Sequence, residues 1–274
     1  MPTTWKVSFA TVETAAAEAA LEAFGATIWA TDVDNQATRF DVYFETEPDI
    51  SGLVLPEDAQ AEGSALPDKD WVSENQKDLP PVIVPPFHLH GSHDAPRGGG
   101  WLNIEMEAGN AFGSGHHGTT QGCLALLAIY MKAQRPGHIA DIGCGSGVLA
   151  IAAAKAGCHD ILAGDNDPLA VKASLANARR NGVQPNITTL IAEGLTHRLF
   201  YGRRFDLILA NILAAPLCHL AQDFKRCLTP NGRVIVSGIL NEQARQVIAR
   251  YRAHDLTVER KIIIGAWTSL CFKR

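Results

Sequence analysis

From residue 138 onward, apolar and polar positions follow a regular order. His138–Ile142 is an apolar run of buried-strand length, and Val148–Ala156 is apolar all round, as a buried helix is. Strand Asp160–Gly164, helix Pro168–Asn181 and strand Ile187–Ile191 follow by the same criteria. Phe205–Ala210, Pro216–Leu228, Arg233–Ser237, Glu242–His254 and Val258–Ile264 continue the alternation, and Thr268–Phe272 closes it. Upstream, a helix ending near Lys132 precedes the first of these strands. Strands alternating with helices predict an α/β fold, a doubly wound, seven-stranded Rossmann-like parallel sheet with helices on both faces. The last two strands are separated only by a turn containing Gly265, so an antiparallel pair is expected at the end.

The first segment has a different rhythm. Trp5–Ala10 reads as a strand, Thr14–Phe24 as an alanine-rich helix, and Thr27–Thr31 and Arg39–Phe44 as alternating strands. This predicts a small α+β (ferredoxin-like) domain over residues 1–66. The pattern weakens from Glu45 to Gly63, and Asp70 to Pro86 is rich in proline and charge. Residues 67–100, ending in Arg97-Gly98-Gly99-Gly100, are expected to form a linker, with a catalytic domain over 101–274.

Composition sharpens this outline. Hydrophobic residues make up 46% of the 274 residues and charged residues 19%, the balance of a globular protein with a sizeable core. The longest apolar runs, Cys123–Met131 and Val148–Ala154, fall short of the ~20 residues that cross a bilayer, so neither a membrane partner nor a location outside the cytoplasm is expected. Six cysteines without a CxxC pair read as reduced thiols, not a disulfide framework or a zinc site. The net charge of −5 is unevenly spread. Residues 1–100 carry 17 acidic and 5 basic side chains, so the remainder is net positive by 7. Such an acidic surface disfavours direct recognition of nucleic acid and attracts a basic partner.

Candidate chemistry gathers where strands end. His138–Ile142 runs into Gly143-Cys144-Gly145-Ser146-Gly147, immediately before a helix. Glycines there let the backbone turn sharply and approach a ligand at the carboxyl edge of the sheet. The next strand ends at Asp165, 22 positions after Gly143, where a carboxylate can accept hydrogen bonds from ribose hydroxyls. The spacing is GxGxG, and Asp141 stands two residues before the first glycine. An acidic group there is wrong for a dinucleotide's diphosphate and suits a cofactor with an ammonium and a sulfonium, which is S-adenosylmethionine. Asn211, at the end of Asp206-Leu-Ile-Leu-Ala-Asn211, is expected beside the first strand, positioned to orient an incoming amine as the catalytic residue; a turn-forming asparagine is the alternative. Glu193, after the third strand, is a candidate for the adenine amino group, with a plain surface charge as the alternative.

The loop Gly109 to Thr120 is rich in glycine and hydroxyls before a helix. Phe112 is expected to stack on adenine and Gly113 to contact the cofactor, while Thr120 suits a carboxylate and Thr119 a helix cap. His116 or His117 is a candidate base for the amine, or a structural lid group. His88, His90 and His93 have metal-like spacing but no obvious acidic or cysteine partner, and are expected to face solvent from a strand, with no metal bound.

Asp70-Trp71, Ala111-Phe112-Gly113-Ser-Gly115-His-His117-Gly-Thr-Thr120, the Asp141–Gly147 turn, Asp165-Asn-Asp-Pro168, Ala210-Asn211-Ile-Leu-Ala214 and Ser237-Gly238-Ile-Leu240 with Gln243 together carry a resemblance. Over about Asp70 to the end, the chain resembles the ribosomal protein L-eleven methyltransferases (PrmA). The resemblance implies trimethylation of lysine side-chain and amino-terminal amines on one basic protein of the large ribosomal subunit, by a monomer. It implies a small amino-terminal domain that holds that protein, and cofactor contacts at Thr120, Gly143, Asp165 and Asn211. Asn75, His93 and Gly118 depart from the tryptophan, tryptophan and proline usual in the family. Because these changes fall in the linker and lid, another protein or a small amine remains an alternative substrate, and a non-catalytic role in ribosome assembly a further one.

Overall fold

The computed structural model describes residues 5–12, 27–34, 37–44, 58–59, 61–65, 81–106 and 118–274. The expected helix Thr14–Phe24, the pair Asp70-Trp71, Asn75 and the stretch 107–117 with Phe112, Gly113, His116 and His117 lie outside these residues. The chain divides into two compact units, Met1–Trp71 and Val72–Arg274.

In the first unit, β1 (Trp5–Thr11), β2 (Thr27–Asp34), β3 (Ala37–Phe44) and β4 (Glu62–Ala65) form an antiparallel sheet in the order β2-β3-β1-β4, the strand order of a ferredoxin-like fold. Side chains alternate across a pleated strand, so Val7 and Phe9 share one buried face. Their register partners Val42 and Phe40 are buried as well, and the Phe9 and Phe40 rings stack at 5.3 Å. β4 falls in the stretch where the sequence pattern fades. Its four residues carry too little alternation to be read alone, and pairing with β1 defines them.

The main sheet of the second unit has seven strands. These are β8 (His138–Ile142), β9 (Asp160–Asp165), β10 (Ile187–Ile191), β11 (Phe205–Asn211), β12 (Leu228–Leu240), β13 (Thr257–Ile264) and β14 (Trp267–Lys273). They lie in the order β10-β9-β8-β11-β12-β14-β13. The first five are parallel, and β14 inserts antiparallel between β12 and β13. The helices are α1 (Gly118–Ala133), α2 (Val148–Lys155), α3 (Pro168–Arg180), α4 (Ala214–Cys227) and α5 (Ala244–Arg252). Alternate residues of the central strands feed opposite faces. Leu207 and Leu209 join the core under α1 and α2, whereas Ile208 and Ala210 join the core under α4 and α5.

Residues 82–105, partly within the expected linker, form a third sheet of β5 (Val82–Val84), β6 (Phe87–His90) and β7 (Leu102–Glu105). Val82, Phe87, Leu89 and Ile104 are buried in the same core as α1 and α2. His88 and His90 were expected to face solvent, and they do not: they are 2% and 8% exposed, and their rings stack at 5.2 Å. The alternation Phe-His-Leu-His resembles a half-exposed strand, yet β6 is the central strand of its sheet and both of its faces are covered. One nitrogen of each ring is bonded, His88 Nδ1 to Asn103 Oδ1 at 2.8 Å and His90 Nδ1 to the Gly91 carbonyl at 2.8 Å. The two acceptors fix both imidazoles as donors at Nδ1.

Candidate active site

β8, β9 and β11 are neighbours, so the chain segments leaving their carboxyl ends converge. The segment after β8 turns back through Gly143, Gly145 and Gly147, with φ of 68°, 52° and 81°. The Gly164 carbonyl accepts from both Gly143 N and Cys144 N, at 2.8 and 3.0 Å, which ties the turn to the end of β9. Two of the glycines are also forced by crowding. A Cβ on Gly143 would lie 2.3 Å from Ile212 Cγ2, and one on Gly147 would lie 2.4 Å from Ser174 Oγ. The turn's backbone is therefore packed tightly against Ile212 and Ser174.

Asp165 closes this cradle from β9. Its Oδ2 accepts from Gly145 N at 2.9 Å and its Oδ1 from Asp167 N at 3.0 Å. A carboxylate has about four lone-pair sites, so each oxygen keeps one for a ligand hydroxyl. Asp167 in turn caps α3 through Leu169 N, ahead of Pro168 at the first helical position.

Asp141 sits beneath the turn and is 1% exposed. Its Oδ2 accepts from Ala150 N at 3.0 Å in the first turn of α2, whose N-cap, Gly147, has no side chain to do so. Asp141 Oδ1 has no hydrogen-bond partner among the described residues. Burial pushes this carboxyl up to about 7; the Ala150 N–H opposes the rise and the nearby Asp165 charge adds to it. A buried acid with one unpaired oxygen suits a cationic ligand group, which would satisfy that oxygen and favour its charged form.

Asn211 ends β11 opposite Ser237 of β12. Its Nδ2 donates to Thr120 Oγ1 at 3.3 Å, joining two expected site residues that are 91 positions apart. That bond uses one of the two amide hydrogens and leaves the carbonyl Oδ1 as an acceptor. Glu193 is exposed just past β10, beside Ala192, whose N–H bonds the Asp165 carbonyl at 2.8 Å.

Gly238 matters for a reason that the chain order hides. Its φ is 83°, and a Cβ there would lie 2.2 Å from the Ile212 carbonyl oxygen. Ile212 is thus wedged between Gly143 and Gly238, which holds Asn211 and Leu213 in place. Leu213 follows at 70% exposed, an apolar side chain two positions after Asn211. The positive φ of Gly238 inside a long strand is invisible in a one-dimensional pattern; its only trace is a glycine interrupting an otherwise apolar run.

A family model described as ribosomal protein L11 methyltransferase (PrmA) matches residues 13–274. The ribosomal protein L11 methyltransferase of Brucella suis is 41% identical over 263 residues, covering 93% of this chain and 92% of that one. Its counterpart from Bradyrhizobium diazoefficiens is 48% identical over 208 residues, 75% of this chain and 70% of that one. A crystal structure of a ribosomal protein L11 methylase from Lactobacillus delbrueckii subsp. bulgaricus superposes with a TM-score of 0.63 at 31% identity, covering 71% of this chain and 98% of that one. With this fold, this strand-end constellation and a family match that runs from residue 13 to the last residue, the chain belongs to the ribosomal protein L11 methyltransferase family.

Proposed function

We propose that this protein is an S-adenosylmethionine-dependent N-methyltransferase acting on lysine side-chain and amino-terminal amines of ribosomal protein L11. It works in the cytoplasm as a monomer, and recognises protein, not nucleic acid. The observation that carries this reading is the grouping of Asp141, Asp165 and Asn211 at the ends of the adjacent strands β8, β9 and β11, around a glycine turn that has no room for a side chain at Gly143 or Gly147. The unpaired Asp141 Oδ1 and the remaining lone pairs of Asp165 fit a nucleoside that carries a positive charge.

In this reading Gly143 and Gly145 lie against the cofactor, Asp165 accepts from its ribose hydroxyls, Asp141 faces its ammonium and Thr120 its carboxylate. Phe112 and Gly113 cover the adenosine, and Glu193 takes the adenine amino group. When bound, the cofactor supplies an electrophilic methyl group on a sulfonium. The protein's share is positioning, since in-line transfer needs no covalent nucleophile. Asn211 Oδ1 accepts from the amine and aims its lone pair, and Leu213 offers an apolar wall that strips water from it. Desolvation favours the neutral, nucleophilic amine, whose proton passes to water or to His116 or His117. Residues 1–66 grip the basic substrate, and residues within 67–100 join them to the catalytic part.

The test uses purified protein with labelled S-adenosylmethionine and L11. Methyl groups should appear on L11 amines, and Asp165→Ala should weaken cofactor binding by roughly 100-fold in calorimetry, given about 1.5–3 kcal/mol per hydrogen bond to a charged group. Label on small amines but not on L11 would move the substrate assignment, and absence of cofactor binding by the wild-type protein would end the reading.

A further inference from the structure

The inner face of α3 is unusual in composition. An amphipathic helix buries an apolar stripe at i, i+3, i+4 and i+7. Here those positions are Ser174, Asn177, Ala178 and Asn181, the last being the C-cap, and all four are buried. Burying amide side chains is unfavourable unless every polar atom finds a partner, and these amides are partnered with backbone groups at two separate places. Asn177 Nδ2 donates to the Ser146 carbonyl at 3.0 Å, inside the glycine turn. Asn181 Oδ1 accepts from Glu105 N at 2.9 Å, while its Nδ2 donates to the Glu105 carbonyl at 2.7 Å and to the Asn177 carbonyl at 2.9 Å. The Asn181 amide thus pairs with both backbone groups of Glu105, as a neighbouring strand would. Its second N–H ties that clasp to the residue holding the turn.

The result is a connected path, Glu105 to the Asn181 side chain to the Asn177 main-chain carbonyl, and from the Asn177 side chain to Ser146, with the covalent frame of Asn177 as the middle link. It runs from the end of β7, across α3, to the middle of the cofactor cradle. Ser174, one turn earlier on the same face, supplies the close contact under Gly147. Neither asparagine belongs to the constellation described above, and no bland packing argument requires amides here, because leucine or alanine would fill such a stripe.

We propose that Asn177 and Asn181 are positioning residues: a buried amide relay through which the end of β7 sets the height and tilt of the glycine turn, and so the affinity for the methyl donor. This rests on the reading of the turn as the S-adenosylmethionine site. The relay acts in series, so damage at either asparagine releases the same turn.

The full-length protein is tested with the isosteric variants Asn177→Asp and Asn181→Asp, which keep volume and remove the donors, and with their combination. Asn177→Asp should weaken S-adenosylmethionine binding about 10-fold or more in calorimetry at a temperature where both proteins are folded. Asn181→Asp should weaken it by a smaller factor, and the double variant should be little worse than Asn177→Asp alone, because coupled residues are not additive. KM for the methylated protein should stay within about twofold. Hydrogen exchange adds a second readout, with Glu105 N exchanging faster in Asn177→Asp although that side chain does not touch it. Asp206→Asn serves as a control for stability loss alone, since Asp206 braces Gly137 and His138 at the opposite edge of the sheet; its donor affinity should match the wild type. If Asn177→Asp does not fold, the Asn181→Asp affinity and exchange data decide. Unchanged affinity in folded variants, or effects that add fully in the double variant, overturns the relay. Failure of the wild-type protein to bind the donor overturns the functional reading instead.

Discussion

Asn211 and Asp141 illustrate how much a single side chain's surroundings decide. Asn211 gives one of its two amide hydrogens to Thr120, which fixes the orientation of its side chain. Asn211→Ala should lower kcat by about 100-fold, the scale of a lost positioning contact, and weaken donor binding by a much smaller factor; calorimetry and steady-state rates on one preparation separate the two. For Asp141 the folded carboxyl sits near 7 against 3.8 for the free side chain, raised chiefly by burial. Because the native state holds this proton more tightly, its contribution to stability is complete below about pH 4 and is lost as pH rises through about 7. Thermal unfolding of the unliganded protein should therefore show stability falling over that window, and Asp141→Asn should flatten the slope. A cationic donor reverses the preference, so its binding should tighten between about pH 6 and 8 with release of protons, read as a heat that depends on the buffer.

At the scale of elements, the glycines show what the strands demand of each other. Gly238→Ala would place a Cβ against the Ile212 carbonyl in a backbone conformation that L-residues resist. Left-handed strain of about 1–2 kcal/mol and overpacking of about 1–3 kcal/mol together predict a loss near 2–5 kcal/mol, seen as a lower midpoint in urea. Any folded fraction should also have reduced kcat, since Asn211 shifts with Ile212. The catalytic part's strands and helices were legible because each is long enough for its period to show. The short strands β4, β5 and β7 were not, and two others were read only in part. β6 reads as half-exposed because histidine is polar, and only a central place in its sheet buries both faces. β12 runs Leu228–Leu240, well beyond the readable core Arg233–Ser237, because Leu228 pairs with Phe205 of β11 across an irregularity and Ile239 and Leu240 pair with Thr268 and Trp267 of β14.

Across the whole molecule, charge separates the two parts. The first 100 residues hold 17 acidic and 5 basic side chains, while the remainder is net positive. If this acidic part attracts a basic ribosomal protein, raising ionic strength from about 0.05 to 0.3 M should increase KM for L11 several-fold and leave donor affinity nearly unchanged. A salt-independent KM would assign the recognition to shape and apolar contact instead.

The chain's own order determined the α/β class, the sequence of strands and helices, the glycine turn, and the candidate residues Asp141, Asp165 and Asn211, because periodicity and strand-end placement are local properties. Tertiary structure decided what lies beside what. It brought Asn211 to Thr120 across 91 residues, set Gly238 against Ile212, covered His88 and His90, and led Asn177 and Asn181 to the cradle and to β7. Those relations depend on sheet order and on helices crossing faces, so the physical reason they escape the sequence is that packing joins residues by distance in space, which no local period records.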